Sequence, residues 1–518
     1  MSQHQALFSE KIIDGVPWVV FSKSLLFIVY FLISVITVRY LGADQYGNYV
    51  LCKSIAEVLI LICTLGMTSS YMRYIPELLL KHNKAGIQRL IIKASALQFV
   101  VVCMITLSLI LGADVVAKLF STDFKGALVF TSILIFFELI KTNVNAILTA
   151  CYKIKFLTLF SVIHGLSWLA LLFSMIQINP TVSIALIAPS ISYAIIYCIA
   201  ALYIIRYLKS LRWKSPVTGI GRRRVLYHSG SLAFSTIIHL LMLKYTELFF
   251  LGLQHDSSIV GLYDLAYSIP LMVIVFIPAA VQDLFVSGFS DAYVKDNSCL
   301  PELIRAFYKL LIILTVPLAV FGFFFSPQLF QIIYGDEISE AGNIASIFCL
   351  LHLLPLVSVP LSMAIQAKEK VINMLPTLLL QLLVNLILDY LFIIQFNWGL
   401  WGALAAVFLT FVLTIPIRLW VVKRILGGVF IPLNFFLKIL FISLFTAYVL
   451  QQIISPDSLP FIVLLAPFYF FSIFIILNST SVLDQEDKKD FQRLMVGKPQ
   501  KFLNKIRYWH KQNIEFQR

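Results

Sequence analysis

The residues with chemistry to offer are a few charges set inside apolar stretches. Lys23, Lys53 and Lys244, the carboxylates Glu57, Glu247, Asp264 and Asp389, and the pair Glu138 and Lys141 all sit in or beside long runs of Leu, Ile, Val and Phe. A charge near the middle of a bilayer costs roughly 2.5–3.5 kcal/mol on insertion scales, so each needs a partner or a task. An ammonium in a wet cavity is a point-charge ligand for phosphate, which suits Lys23, Lys53 and Lys244 to an anionic headgroup. A carboxylate in the same setting can carry a proton or hold a small cation, which makes Glu57, Glu247, Asp264 and Asp389 candidates for ion coupling. Three pairs are spaced to neutralise themselves on one helix face: Lys53 with Glu57, Glu138 with Lys141, and Lys244 with Glu247. Lys23 has no acidic residue within four positions. His164 and His239 are lone histidines on apolar helices and read as packing residues.

The elements that must position these groups follow from composition. Apolar residues make up 60% of the 518 and charged residues 13%, against about 45–50% and about 25% in soluble domains. A chain this apolar needs lipid as its solvent. A helix crosses the hydrocarbon core in roughly 20 residues. Fourteen runs qualify: 17–38, 49–70, 90–112, 127–150, 157–177, 182–205, 230–252, 259–285, 303–326, 341–364, 371–394, 399–421, 433–454 and 459–478. The runs are continuous and do not alternate, so they are helices and not barrel strands. The first has only Lys11 ahead of its apolar start and lacks a small-x-small cleavage site, so it reads as a retained span.

An even count puts both termini on one side. The tails and even-to-odd connections carry most of the lysines and arginines outside the spans, including Arg206, Lys209, Arg212, Lys214 and Arg222–Arg224. The opposite loops carry only Arg39, Lys118 and Lys125. Cationic loops stay in the cytoplasm, so both termini are expected there. The net charge of +14 is thus a topology signal and no sign of nucleic-acid binding. The tail repeats Phe502, Ile506 and Trp509 among lysines, a pattern for a helix lying on an anionic leaflet. The seven cysteines include no CxxC, so neither a disulfide framework nor a zinc site is expected, and no cofactor is.

The end of the first span reads Leu41-Gly42, a polar stretch, then Gly47-Asn48-Tyr49. The end of the seventh reads Leu251-Gly252, then Gly261-Leu262-Tyr263. Gly42, Gly47 and Gly261 are expected to supply turn flexibility, and the tyrosines to sit in the interfacial belt. Six spans separate the copies, so the halves share orientation, as in transporters built from parallel repeats.

Arg39-x-Leu41-Gly42-x-x-x-Tyr46-Gly47-x-Tyr49 resembles the signature after the first span of bacterial polysaccharide flippases. Gly66, Arg73-Tyr74-Ile75-Pro76-Glu77, Val260-Gly261-Leu262-Tyr263, Tyr334-Gly335, Asn385 and Gly399-Leu400-Trp401-Gly402-Ala403 resemble further motifs of that family, in order. The resemblance implies an all-α membrane fold of the multidrug/oligosaccharidyl-lipid/polysaccharide exporter superfamily, with two six-helix lobes in a V and two extra helices. It implies an N-terminal lobe 1–225 with the basic linker 206–224, a C-terminal lobe 226–425, added spans in 426–483 and a basic tail 484–518. Spans one, two and seven, which carry Lys23, Lys53 and Lys244, line the central cavity in that family. Asp389 stands where the family often has asparagine.

The implied activity is transport of a polyprenyl-pyrophosphate-linked oligosaccharide, an O-antigen or exopolysaccharide unit, across the bacterial inner membrane. Membrane lipid, an H+ or Na+ counter-ion and polysaccharide polymerase machinery are the implied partners. Two other readings compete. A drug/cation antiporter of the same fold calls for an acidic or apolar cavity. A membrane enzyme of envelope synthesis calls for a sizeable outward loop with DxD or HxxE chemistry, whereas these loops are short and lack both.

Overall fold

The computed structural model describes residues 3–120, 124–210, 221–295, 300–368, 370–453 and 459–479. The tail 484–518, with Phe502, Ile506 and Trp509, and residues 211–220 of the basic linker lie outside the described residues. Every regular element among those described is helical, because in lipid a helix satisfies its own backbone. Among the described residues, eleven helices are long and apolar enough to cross a membrane. One of these, within α1 (Gln3–Thr64), holds the first sequence span and the second as far as Thr64. The seventh span is α8 (Arg222–Leu240), a π-helical turn Leu241–Tyr245, and α9 (Thr246–Gln254). The fourteenth is α18 (Leu459–Ser479). The chain is an all-α multi-pass membrane protein.

Two breaks in the N-terminal part have clear causes. At Gly42, φ is 72° and ψ 173°, and α1 bends there. The polar residues Asp44, Gln45 and Asn48 that follow read as a loop in the sequence, but they are helical, because one residue makes the whole turn. At Leu65 and Gly66, φ is 50° and 67°, and the helix stops before α2 (Met67–Leu80). The break frees the Thr64 carbonyl. Gln98 on α3 (Lys84–Leu111) donates to it at 2.7 Å, and Asn143 on α5 (Lys125–Ala150) donates to Gln98 at 2.9 Å. A buried orphan carbonyl would otherwise cost about 1–3 kcal/mol.

The chain forms two compact units. The first contains Met1–Asp264 and Gln381–Val407. It holds α1 to α9, including α4 (Ala113–Leu119), α6 (Ile154–Ile176) and α7 (Val182–Ser210), with the start of α10 (Ser257–Lys295). It also takes the end of α15 (Leu375–Asp389), the π-helical turn Tyr390–Gln395 and the start of α16 (Gly399–Leu426). The second contains Leu265–Leu380 and Phe408–Arg518. Its core gathers Phe307, Val320 and Phe325 of α11 (Leu300–Tyr334), Ile439 of α17 (Leu433–Ile453) and Tyr469 of α18. Tyr469 donates to the Pro317 carbonyl at 3.1 Å. The tenth span is broken into α12 (Ser339–Leu351), α13 (Leu353–Leu356) and α14 (Val359–Ala367), with Pro355 and Pro360 at the breaks. Proline removes a helical donor and clashes with the preceding turn.

In the first unit the two Leu-Gly…Gly-x-Tyr segments meet. A Cβ on Gly261 would lie 3.0 Å from the Gly47 nitrogen and 3.1 Å from the Ala43 oxygen. Gly47 is helical, so its value here is the side chain it lacks. Tyr46, Tyr49 and Tyr263 are buried, so their rings pack against protein, whereas an interfacial belt would have them facing lipid.

Candidate functional site

The charges that the sequence sets inside apolar runs of the first unit form three groups. In the first, Lys53 lies 3.8 Å from Glu57, one turn apart on α1. Glu57 also accepts from the Tyr245 hydroxyl on the π-helical turn. Lys244 pairs with Asp264 of α10, and both side chains are mostly buried, at 18% and 11% exposure. Asp264 accepts a second bond, at 2.8 Å, from the Tyr46 hydroxyl of α1. Lys244 therefore neutralises Asp264 and not Glu247, the partner that helical spacing offered. The π-helical turn accounts for this, because one extra residue in the turn rotates Lys244 away from the α-helical i,i+3 position. Lys23 sits half-buried well before the Gly42 kink of the same helix as Lys53.

In the second cluster, Glu247 of α9 is 1% exposed and Asp389 of α15 is 0% exposed. Asn385, one turn before Asp389, donates to Glu247 at 2.9 Å and accepts from Thr246 at 2.7 Å. Thr246 also reaches Glu247, at 3.1 Å. The two carboxylates interact electrostatically, and the Thr246 hydroxyl stands close to Asp389, whose buried oxygens otherwise have no hydrogen-bond partner among the described residues. Two buried carboxylates with no cationic side chain in this network need a proton or a bound cation to offset their charge. Each π-helical turn abuts this cluster: Leu241–Tyr245 runs into Thr246, and Tyr390–Gln395 follows Asp389. Thr246 and Tyr245 carry no signal in the sequence, because only the fold brings the Thr246 hydroxyl to Asn385 and Glu247 and the Tyr245 hydroxyl to Glu57. Asn385 carried a usable signal, the i,i+4 spacing to Asp389.

A third charged group lines a cavity of about 340 Å³ between α1, α5, α6 and α7. Lys141 donates to Glu138 at 2.9 Å and to the Tyr193 hydroxyl at 3.1 Å. Lys53 and Glu57 line the same cavity. His164 packs as expected of a core histidine: it is buried, stacks on Tyr193 at 4.3 Å between centroids, and bonds Ser192 at 2.7 Å.

The fold has solved counterparts. The lipid II flippase MurJ in an inward closed conformation aligns over 90% of this chain and 98% of its own, with a TM-score of 0.66 and 17% identity. An inward-facing multidrug resistance MATE family transporter of the MOP superfamily aligns over 78% and 95%, with a TM-score of 0.65 and 14% identity. A MOP superfamily transporter from Pyrococcus furiosus aligns over 80% and 96%, with a TM-score of 0.59 and 14% identity. No curated protein sequence matches the chain. The chain thus shares the fold of these solved transporters. A family model described as polysaccharide biosynthesis protein matches residues 36–342, more than half of the chain, and the chain belongs to that family.

Proposed function

We propose that the protein is a flippase that carries a polyprenyl-pyrophosphate-linked oligosaccharide, an O-antigen or exopolysaccharide unit, across the bacterial cytoplasmic membrane. The observation that carries this reading is the lysine–carboxylate–tyrosine network inside one unit of a multi-pass chain from a polysaccharide biosynthesis family. Charges in a membrane interior are costly to bury, and a charged cargo gives a reason to keep them. The pyrophosphate is met by Lys23, and it takes the place of Asp264 and Glu57 as partner of Lys244 and Lys53. Exchange of one anion for another keeps each lysine compensated throughout. The tail stays in lipid while the sugar head crosses by alternating access, with bending at Pro270, Pro278, Pro355 and Pro360. No covalent step is required. The termini face the cytoplasm, and polymerase machinery receives the cargo on the far side.

Deletion of the gene in its host tests the reading. Polyprenyl-linked intermediates measured by mass spectrometry should accumulate on the cytoplasmic side and clear on complementation. Unchanged intermediates together with increased sensitivity to cationic drugs would replace this reading with antiport.

Glu247, Asp389 and Asn385 form the coupling site for H+ or Na+. Their oxygen donors are hard ligands that suit either ion. Asp389→Asn is expected to make transport in proteoliposomes insensitive to an imposed ion gradient, with the protein still inserted. A gradient dependence equal to wild type would exclude the pair from coupling.

A further inference from the structure

Glu138, Lys141, Trp168 and Tyr193 are not used by the pyrophosphate or the coupling ion, yet they converge on one cavity. Its aromatic wall includes Tyr30, Tyr49, Trp168 and Tyr193. Tyr30 and Trp168 meet at 5.8 Å between centroids with a 55° tilt, so the two rings make a corner. Trp168 is 9% exposed, and its Nε1 has no hydrogen-bond acceptor among the described residues. His164 stacks behind Tyr193 and Trp168, at 4.3 and 5.9 Å between centroids, and so backs the wall rigidly. The charges along the cavity cancel in pairs, Lys141 with Glu138 at 2.9 Å and Lys53 with Glu57 at 3.8 Å. A volume of about 340 Å³ is at the lower end of the roughly 300–1,000 Å³ of small-molecule sites.

Away from Lys53, which the pyrophosphate engages, the wall carries only the Glu138–Lys141 pair, which offers an anion no net charge, and a hydrocarbon gains nothing from that pair. A neutral sugar ring fits both features. Its C–H face is apolar and packs on an aromatic ring, and its hydroxyls both donate and accept, so one ring can bridge a carboxylate and an ammonium. We propose that this cavity is the saccharide subsite, taking a neutral pyranose of the lipid-linked cargo. The inference rests on the lipid-linked-oligosaccharide reading and adds a location and a sugar class to it. It also gives the subsite a line to the phosphate lysines. Tyr46, on the cavity wall, donates to the carboxylate that holds Lys244, and Glu57, also on the wall, accepts from Tyr245 beside Lys244.

The test uses the full chain in lipid nanodiscs and three soluble probes. They are a short-chain prenyl pyrophosphate without sugar, the same compound bearing one neutral hexose, and the same bearing one hexuronate. Equilibrium binding is measured for wild type, Glu138→Gln and Trp168→Leu. The hexose probe should bind at least tenfold tighter than the bare carrier, and the hexuronate should not. Both substitutions should abolish that tenfold gain, and bare-carrier binding controls for fold in each. Should Trp168→Leu fail to insert, the near-isosteric Glu138→Gln decides alone. Equal binding of all probes, preference for the hexuronate, or a gain that survives Glu138→Gln overturns the subsite and leaves the flippase reading standing. Wild type that binds no carrier at all overturns the reading beneath it.

Discussion

Gly47→Val is expected to remove most of the protein from the membrane and to abolish transport in what remains. A Cβ at Gly47 would fall inside the Ser257 carbonyl at the start of α10. Overpacking a core with extra methylenes usually costs about 1–3 kcal/mol, because side chains shift to make room. Here the obstacle is backbone, and behind it stands the reciprocal contact of Gly261 with the Gly47 nitrogen. Relief requires moving α1 against α10, which also carries Asp264 away from Tyr46. The cost therefore exceeds the usual range, against a stability of about 5–15 kcal/mol typical of folded proteins. Gly47→Ala should fail in the same direction, since the first carbon already overlaps. Gly126→Ala is the matched control, as nothing lies within 4 Å of its Cβ position. Membrane level by quantitative immunoblot and surface polysaccharide by complementation read the two effects separately. Normal values for Gly47→Val would mean that the two repeat segments do not pack backbone to backbone.

The same residues show what a sequence can and cannot convey here. Spans are legible because lipid demands a long apolar run, and a run needs no partner to be recognised. Local pairs are legible for a similar reason: Lys53 with Glu57 and Lys141 with Glu138 obey helical spacing, and both form. The spacing rule gave Lys244 to Glu247 as well, and there the fold decided otherwise. Asp264 and Asn385 stand on other helices, and they took one member each. Tyr46 and Asp264 are 218 positions apart, a distance over which a single sequence carries no pairing signal. The repeat was visible as two short motifs, but their mutual contact was not, since it depends on the absence of a side chain at Gly47 and Gly261. The aromatic cavity was the least legible of all. Trp168 and Tyr193 lie on apolar helices where any aromatic reads as packing, and only the placement of Lys141 and Glu138 beside them marks a site.

Lys244→Gln is expected to cut transport at least tenfold while the protein still inserts, and the identity of its partner makes the reason testable. Removing one member of a mostly buried ion pair costs roughly 3–5 kcal/mol, largely from the charge left behind. Asp264 keeps the Tyr46 hydroxyl at 2.8 Å in the variant, which moderates the loss and favours insertion. Lys244→Glu should be worse than Lys244→Gln, because it sets a second carboxylate against Asp264. Arginine should retain part of the activity: the charge remains, but the planar fork fits a site built for an ammonium imperfectly. The deciding experiment is the double change Lys244→Gln with Asp264→Asn. A lysine that served only to neutralise Asp264 would be dispensable once the carboxylate is gone, and activity would return. A lysine that hands itself from Asp264 to the pyrophosphate leaves the double variant as defective as the single. Glu247→Gln in place of Asp264→Asn should restore nothing under either view, because Glu247 is held by Asn385 and Thr246 on a separate network. Surface polysaccharide normalised to membrane protein level separates these outcomes. Recovery in the Asp264 double variant would reduce the Lys244 pair to structural support and leave Lys23 as the residue to carry the phosphate contact.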